Sequence, residues 1–226
     1  MRFIVEALAW IGNPQHWEGP DGIASRVMQH LGYSALALTI AALAAIPFGL
    51  YIGHTGRFRV IAVALLAGAR ALPSLGVLTF LAIVLGFGLS GVIVPATIAL
   101  VVLAIPSLLA ATYSGVEAIA PGIVDAARGC GYSELQIVGM VEVPLAGPMI
   151  LGGIRSAAVQ VLASATIAAY PGLGGLGRYI LDGLPVRDYP KMLAGAMLVI
   201  ALALLTDAAL GLAQRVVTRR ARLKAT

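Results

Sequence analysis

Two opposite charges stand inside long apolar runs. Arg155 lies about 11 residues after Pro144 and Asp207 about eight before Arg215, depths of roughly 16 Å and 12 Å if both segments are helical. A lone charge within a bilayer is costly. Opposite charges at similar depth on adjacent segments therefore predict an Arg155–Asp207 ion pair, structural rather than substrate-binding. Other chemistry is sparse. Cys130 is the single cysteine, so an intrachain disulfide and a cysteine-based metal site are excluded. His16, His30 and His54 stand at no recognisable metal-ligand spacing. No carboxylates pair at a useful spacing, so no catalytic, metal-binding or cofactor-binding residue is assigned. Neither lysine, Lys191 or Lys224, falls in a Gly-x4-Gly-Lys-Ser/Thr loop, so the chain has no phosphate cradle of that kind. Gly172-Leu173-Gly174-Gly175-Leu176-Gly177 formally fits G-x-G-x-x-G. That fingerprint needs a preceding strand and a βαβ unit, whereas here it follows an apolar run.

The elements that must position these residues are set by composition. Apolar residues make up 60% of the 226, charged residues 11%, and the mean hydropathy is +0.96. Ordinary soluble domains are ~45–50% apolar and ~25% charged. These figures exclude a cytosolic globular enzyme, a disordered chain and a nucleic-acid binder, and the net charge of +5 reads as a marker of membrane sidedness. Spanning the hydrocarbon core takes about 20 helical residues. Five segments qualify: about 31–53, 60–88, 91–113, 145–170 and 192–213. The expected fold is all-α, a polytopic membrane helical bundle of about five transmembrane helices. Arg57, Arg59, Arg128 and the tail from Arg215 to Lys224 fall on one side, which puts the N-terminus outside and the C-terminus inside. Residues 1–30 then form an extracytoplasmic or interfacial segment, 31–214 the transmembrane domain, and 215–226 a basic cytoplasmic tail at the lipid headgroups. The stretch Phe3 to Ile11 contains Glu6 and lacks a clear small-x-small cleavage site, so it is expected to stay in the mature chain as an interfacial helix. Gly49 and Gly53 are spaced for close approach of the first span to a neighbour.

The longest internal polar stretch, 116–144, carries the most specific pattern. Asp125-Ala126-Ala127-Arg128-Gly129-Cys130-Gly131 is followed by nine residues and then Val141-Glu142-Val143-Pro144. Two alanines in a short helix make a smooth face that can enter a partner's groove. Asp125 near the helix start suits its dipole, Gly131 permits a sharp turn, and Pro144 can open the next helix. The stretch resembles the EAA loop of ABC-importer permeases, with Asp125 for the usual Glu, Val141 for Ile and Val143 for Leu. The resemblance runs from about Leu31 to the C-terminus. Leu72-Pro73-Ser74-Leu75-Gly76, Ala126-Ala127-Arg128-Gly129, Gly153-Ile154-Arg155-Ser156-Ala157 and the glycine stretch 172–177 look most like permeases for osmoprotectants such as glycine betaine, carnitine and choline.

This resemblance implies a permease subunit of the bacterial inner membrane that works by alternating access. It implies Asp125, Ala126, Ala127, Gly131, Val141 and Pro144 as the ATPase-coupling loop. Partners would be two ABC ATPase subunits, a second permease subunit and an extracytoplasmic solute-binding protein, with ATP and Mg held by the ATPase and no cofactor in this chain. Pro73 removes a backbone donor within the second span, and discontinuous helices often line transport sites. Pro73 and Ser74 are therefore expected at the translocation path, with a simple kink in a packed bundle as the other reading, and the resemblance implies Gly174 and Gly175 as part of a short hairpin that gates the outer mouth. A permease for methionine or another small solute is the alternative within the class. An ATP-independent channel or carrier is the alternative outside it, and a polytopic enzyme lacks a catalytic constellation.

Overall fold

A backbone in lipid must satisfy its own hydrogen bonds, so apolar runs of this length close into helices. The computed structural model describes residues 2–85 and 92–223. Among them there is no strand, and ten α-helices follow one another: α1 (Arg2–Gly12), α2 (Ile23–Thr55), α3 (Arg59–Ala71), α4 (Ser74–Leu85), α5 (Ile93–Glu117), α6 (Pro121–Gly129), α7 (Glu134–Ile137), α8 (Val143–Ser164), α9 (Gly177–Val186) and α10 (Tyr189–Leu223). Four stretches are long and apolar enough to cross a membrane: α2, α5, α10, and the continuous stretch Glu134–Ala169 that contains α8. The helices α3 and α4 make a fifth span if counted together, and they are bent by 92°. The bend follows from Pro73. Leu72, the residue before it, is extended at φ −70°, ψ 127°, as the proline ring demands. The expected end of the second span, in 86–91, and the last residues of the tail, 224–226, lie outside the described residues.

The spans are longer than the apolar pattern indicates. The first begins at Ile23 rather than near Leu31, and the last continues as helix past Arg215 to Leu223. At 33 residues, α2 is roughly 50 Å long, well beyond the ~30 Å core.

The centre of the bundle is α5, held between α2 and α8. The face that α2 turns inward carries Ala37, Ala41, Ala45 and Gly49, all buried and four residues apart. Small side chains let the two backbones approach, which is how helices associate where lipid is as apolar as leucine. A Cβ on Gly49 would lie 2.7 Å from the Cβ of Thr112, and one on Gly53 would lie 2.6 Å from the Cβ of Val116. Gly153 of α8 meets Ala111 of α5 just as closely, at 2.5 Å. Ser107 donates to Gln160 at 3.1 Å across the same α5–α8 contact. Large apolar side chains such as Leu43, Ile83 and Leu205 point outward, as a lipid-facing surface requires. The N-terminal helix α1 packs on α10, where Phe3 meets Tyr189 edge-on with ring centroids 5.6 Å apart.

Candidate coupling loop and gate

The connection between α5 and α8 is largely helical. Pro121 opens α6 at its first turn, where its missing N–H is harmless. None of the nine residues of α6 is buried. Asp125, Ala126, Arg128 and Gly129 are exposed, and Ala127 is half-buried. Asp125 stands in the middle of the helix rather than near its start, so its partner is Arg128, 3.2 Å away, and not the helix dipole. The helix ends where Gly131 turns left-handed at φ +87°, a conformation that favours glycine. Its N–H bonds Arg128 O at 2.9 Å, and Tyr132 N–H bonds Ala127 O at 3.2 Å. Gln136 then accepts from the Ser133 N–H at 2.8 Å and starts α7.

A chain of charges leads from α6 into the bundle. Arg128 forks onto Glu134, with Nε 2.8 Å from Oε1 and Nη2 3.0 Å from Oε2. The hydrogen bond to Glu134 holds the Arg128 guanidinium above its ordinary pKa. Glu134 lies 3.0 Å from Nε2 of His54, the next-to-last residue of α2. The other ring nitrogen, Nδ1, lies 2.9 and 3.0 Å from the two carboxylate oxygens of Glu142. Glu142 is 3% exposed. It ends a π-helical turn, Val138–Glu142, which also holds half-buried Val141 and runs directly into α8. That wide turn fits the sequence. Pro144, in the first turn of α8, has no N–H to give and its ring would clash with the carbonyl of a regular α-turn.

At the opposite end of α2 lies the glycine loop. Gly175, at φ +88°, donates its N–H to Gln29 Oε1 at 2.9 Å. A Cβ on Gly175 would lie 3.2 Å from His30 Nδ1, and one on Gly174 would run into Gln29 and Arg26. His30 is buried, and its Nε2 lies 2.9 Å from Leu162 O. Leu173 packs against the cluster of Leu78 on α4, Ala96 and Ala99 on α5, and Ala168. Ser74, just after the Pro73 break, borders a narrow crevice with Ala99 of α5 and Ser164 of α8. The glycine loop thus touches, through Leu173, the cluster that holds Leu78 of α4, one turn after Ser74. A charged recess of about 670 Å³ opens beside the glycine loop, lined by Asp21, Arg26, Arg178, Asp182, Asp188 and Lys191 among others.

Arg155 and Asp207 meet across α8 and α10, Nε to Oδ1 and Nη2 to Oδ2, each at 2.5 Å. Sequence reasoning missed Gln29, His30, His54, Glu134 and Glu142. A polar residue at each end of an apolar run was the available signal, but the partners across the bundle lie 80 to 146 positions apart.

The match to known proteins covers most of the chain. Residues 45–222 fit the family described as "binding-protein-dependent transport system inner membrane component". The choline transport system permease protein of Bacillus subtilis is 31% identical over 193 residues, 85% of this chain and 87% of that protein. A carnitine transport permease protein of Listeria monocytogenes is 33% identical over 194 residues, 86% and 87% of the two chains. The osmoprotectant import permease protein of Salmonella typhimurium is 33% identical, covering 82% of this chain and 86% of that one. Among solved structures, an inward-facing form of a methionine ABC transporter superposes with a TM-score of 0.72 at 21% identity, over 86% of this chain and 95% of that one.

Proposed function

Because the chain belongs to the family of binding-protein-dependent transport system inner membrane components, and is thus a multi-pass permease subunit of the inner membrane, we propose that it imports osmoprotectants of the choline, carnitine and glycine betaine class. Three relatives whose names carry choline, carnitine or osmoprotectant transport, each matched over more than four-fifths of both chains, support that substrate class.

The observation that carries the mechanism is α6. A helix with no buried residue that shows Asp125 and Ala126 on its surface beside half-buried Ala127 is shaped to enter a groove elsewhere. Its partner in this reading is a separate ABC ATPase, which binds ATP and Mg, while this chain holds no cofactor and hydrolyses nothing. Gly131 sets the turn that ends the docking helix, and Val141 and Pro144 carry its motion into α8. The loop then lies in the cytoplasm, with the N-terminus outside, the C-terminus inside and the tail from Arg215 at the lipid headgroups. The glycine loop, at the other end of α2, faces outward. There the charged recess offers both signs of charge to an extracytoplasmic solute-binding protein that delivers the solute. The domain from about residue 31 to 214 pairs with a second permease subunit, and the Pro73–Ser74 helix and Gly174–Gly175 loop open and occlude the path in turn.

The test is co-purification with the candidate ATPase from membranes, with and without Asp125→Lys and Gly131→Trp. Wild type should retain the ATPase and both folded variants should lose it. Choline, carnitine or glycine betaine should then stimulate hydrolysis in the reconstituted complex when the binding protein is present. Undiminished association of both variants would refute the docking role of α6. Solute flux through this chain alone, without the ATPase, would instead favour a channel or carrier.

A further inference from the structure

The coupling loop and the glycine loop are hydrogen-bonded to the same helix. At one end of α2, His54 stands between Glu134 and Glu142. At the other, Gln29 accepts from Gly175 and His30 reaches Leu162 O. The two ends are 25 positions apart, or roughly 37 Å along the axis. Between them the inward face of α2 is a ladder of alanine and glycine pressed on α5. It runs past exposed Pro47 without interruption.

We propose that α2 carries the movement of the coupling helix to the glycine loop, with His54 as the joint that receives it and Gln29 as the contact that delivers it. This rests on the reading of α6 as the ATPase-docking helix.

Three observations support the assignment. First, α6 has no buried residue to pack it on the bundle, so the motion it receives leaves mainly through its polar side chains or its ends. Arg128 and Glu134 form the side-chain route, and their fork is bidentate, which fixes direction as well as distance. Second, the route passes from exposed to buried. The side chains of Glu134, His54 and Glu142 are 56%, 12% and 3% exposed. His54, with a carboxylate within 3.0 Å of each ring nitrogen, links the surface acid to the buried one. Third, Glu142 belongs to the π-helical turn that leads into α8. A shift of His54 thus bears on the start of α8 and the end of α2 together. On its other flank the α2 end is followed by α3, whose Arg59 pairs with Glu117 at the end of α5.

His54, Glu142 and Gln29 are positioning residues in this scheme, and none is assigned to touch solute. A purely structural clasp would make a different prediction: its loss would lower folding yield, and what folded would still couple normally. The experiment uses the complete transporter, with ATPase and binding protein, in proteoliposomes. ATP hydrolysis and uptake of labelled choline, carnitine and glycine betaine are read in the same vesicles.

His54→Ala and Gln29→Ala should keep the ATPase bound and hydrolysing, while solute imported per ATP falls about fivefold or more, the scale of an ordinary allosteric coupling. His54→Arg can reach both carboxylates and should recover the ratio. Gln29→Glu keeps an oxygen acceptor for Gly175 N–H and should do the same. If His54→Ala does not fold, Glu134→Gln decides, because that residue is half-exposed and leaves no buried charge behind. Unchanged solute per ATP in Gln29→Ala and in the folded variant of the His54 link would overturn the proposal. So would rescue variants that restore folding yield but not the ratio. Wild-type permease that binds no ATPase would sink the docking reading itself, and is recognised before any ratio is measured.

Discussion

Arg155 on α8 and Asp207 on α10 face each other as a fork-to-fork ion pair, and Gly211, one turn further along α10, leaves room for the guanidinium: a Cβ there would lie 3.2 Å from Arg155 Cζ. Planar bidentate geometry adds direction to attraction. The pair therefore sets how α10 is rotated against α8. Arg155→Asp or Asp207→Arg alone places two like charges side by side in a membrane helix pair, and each should lower the yield of assembled protein severalfold. The double reversal should restore much of it. Size-exclusion profiles of the detergent-purified variants give the answer, and a double variant no better than the singles would show that the pair does not join the helices.

The approach of α2 to α5 depends on two glycines. Gly53→Val would push a branched side chain into Val116, already 2.6 Å from where a Cβ would stand. Overpacking of this kind destabilises by about 1–3 kcal/mol. The thermal midpoint in detergent should fall, and Val116→Ala should recover part of the loss. A midpoint unchanged in Gly53→Val would mean that α2 and α5 are not pressed together there.

Side-chain contacts hold α6 more than burial does. Arg128→Ala removes its bonds to both Asp125 and Glu134. Amide exchange over residues 121–129 should accelerate several-fold in that variant while exchange in α5 and α8 stays slow, as expected for local opening without global unfolding. Equal acceleration across the bundle would contradict this.

Tyr179 on α9 is buried beside Trp10 and donates its hydroxyl to Asp21 O at 2.8 Å. Burial pushes its pKa up to about 12 from the ordinary tyrosine value. The folded protein therefore keeps the phenol proton over a range where the unfolded chain has released it. Stability from this group is complete below about pH 10 and is lost as pH rises through about 12. Tyr179→Phe should lower stability modestly at neutral pH, by about 1 kcal/mol for the missing hydrogen bond. It should also flatten the alkaline decline in thermal midpoint. An alkaline slope identical in both proteins would place the titration elsewhere.

The spans were legible because the membrane imposes a simple rule, about 20 apolar residues with no backbone left unpaired, and α2, α5, α8 and α10 obey it. Their ends were not. Helix continues beyond the apolar stretch wherever another element covers it or water meets it, as at Ile23 and beyond Arg215. The stretch 116–144 read as a polar loop holding one short helix, yet it also contains α7 and a π turn. A four-residue helix leaves too short a period to recognise, and the π turn shows only as a proline that a regular helix would not accept. Matching depth sufficed to pair Arg155 with Asp207. The spacing of Gly49 and Gly53 announced close packing without naming α5 as the partner. Nothing local could connect His54 to Glu142 or Gln29 to Gly175. Those contacts depend on the rotation of each helix about its axis, which the packing of the whole bundle decides.

The N-terminal helix has a consequence for how the protein is made. Trp10 joins the cluster of Ile23, Tyr179 and Val199, and Phe3 meets Tyr189, so besides the start of α2 this helix finds its partners on α9 and α10, far along the chain. Contacts that distant in sequence close late. Until α9 and α10 have been made, Phe3 and Trp10 lack their partners there, so the N-terminal helix completes its packing late.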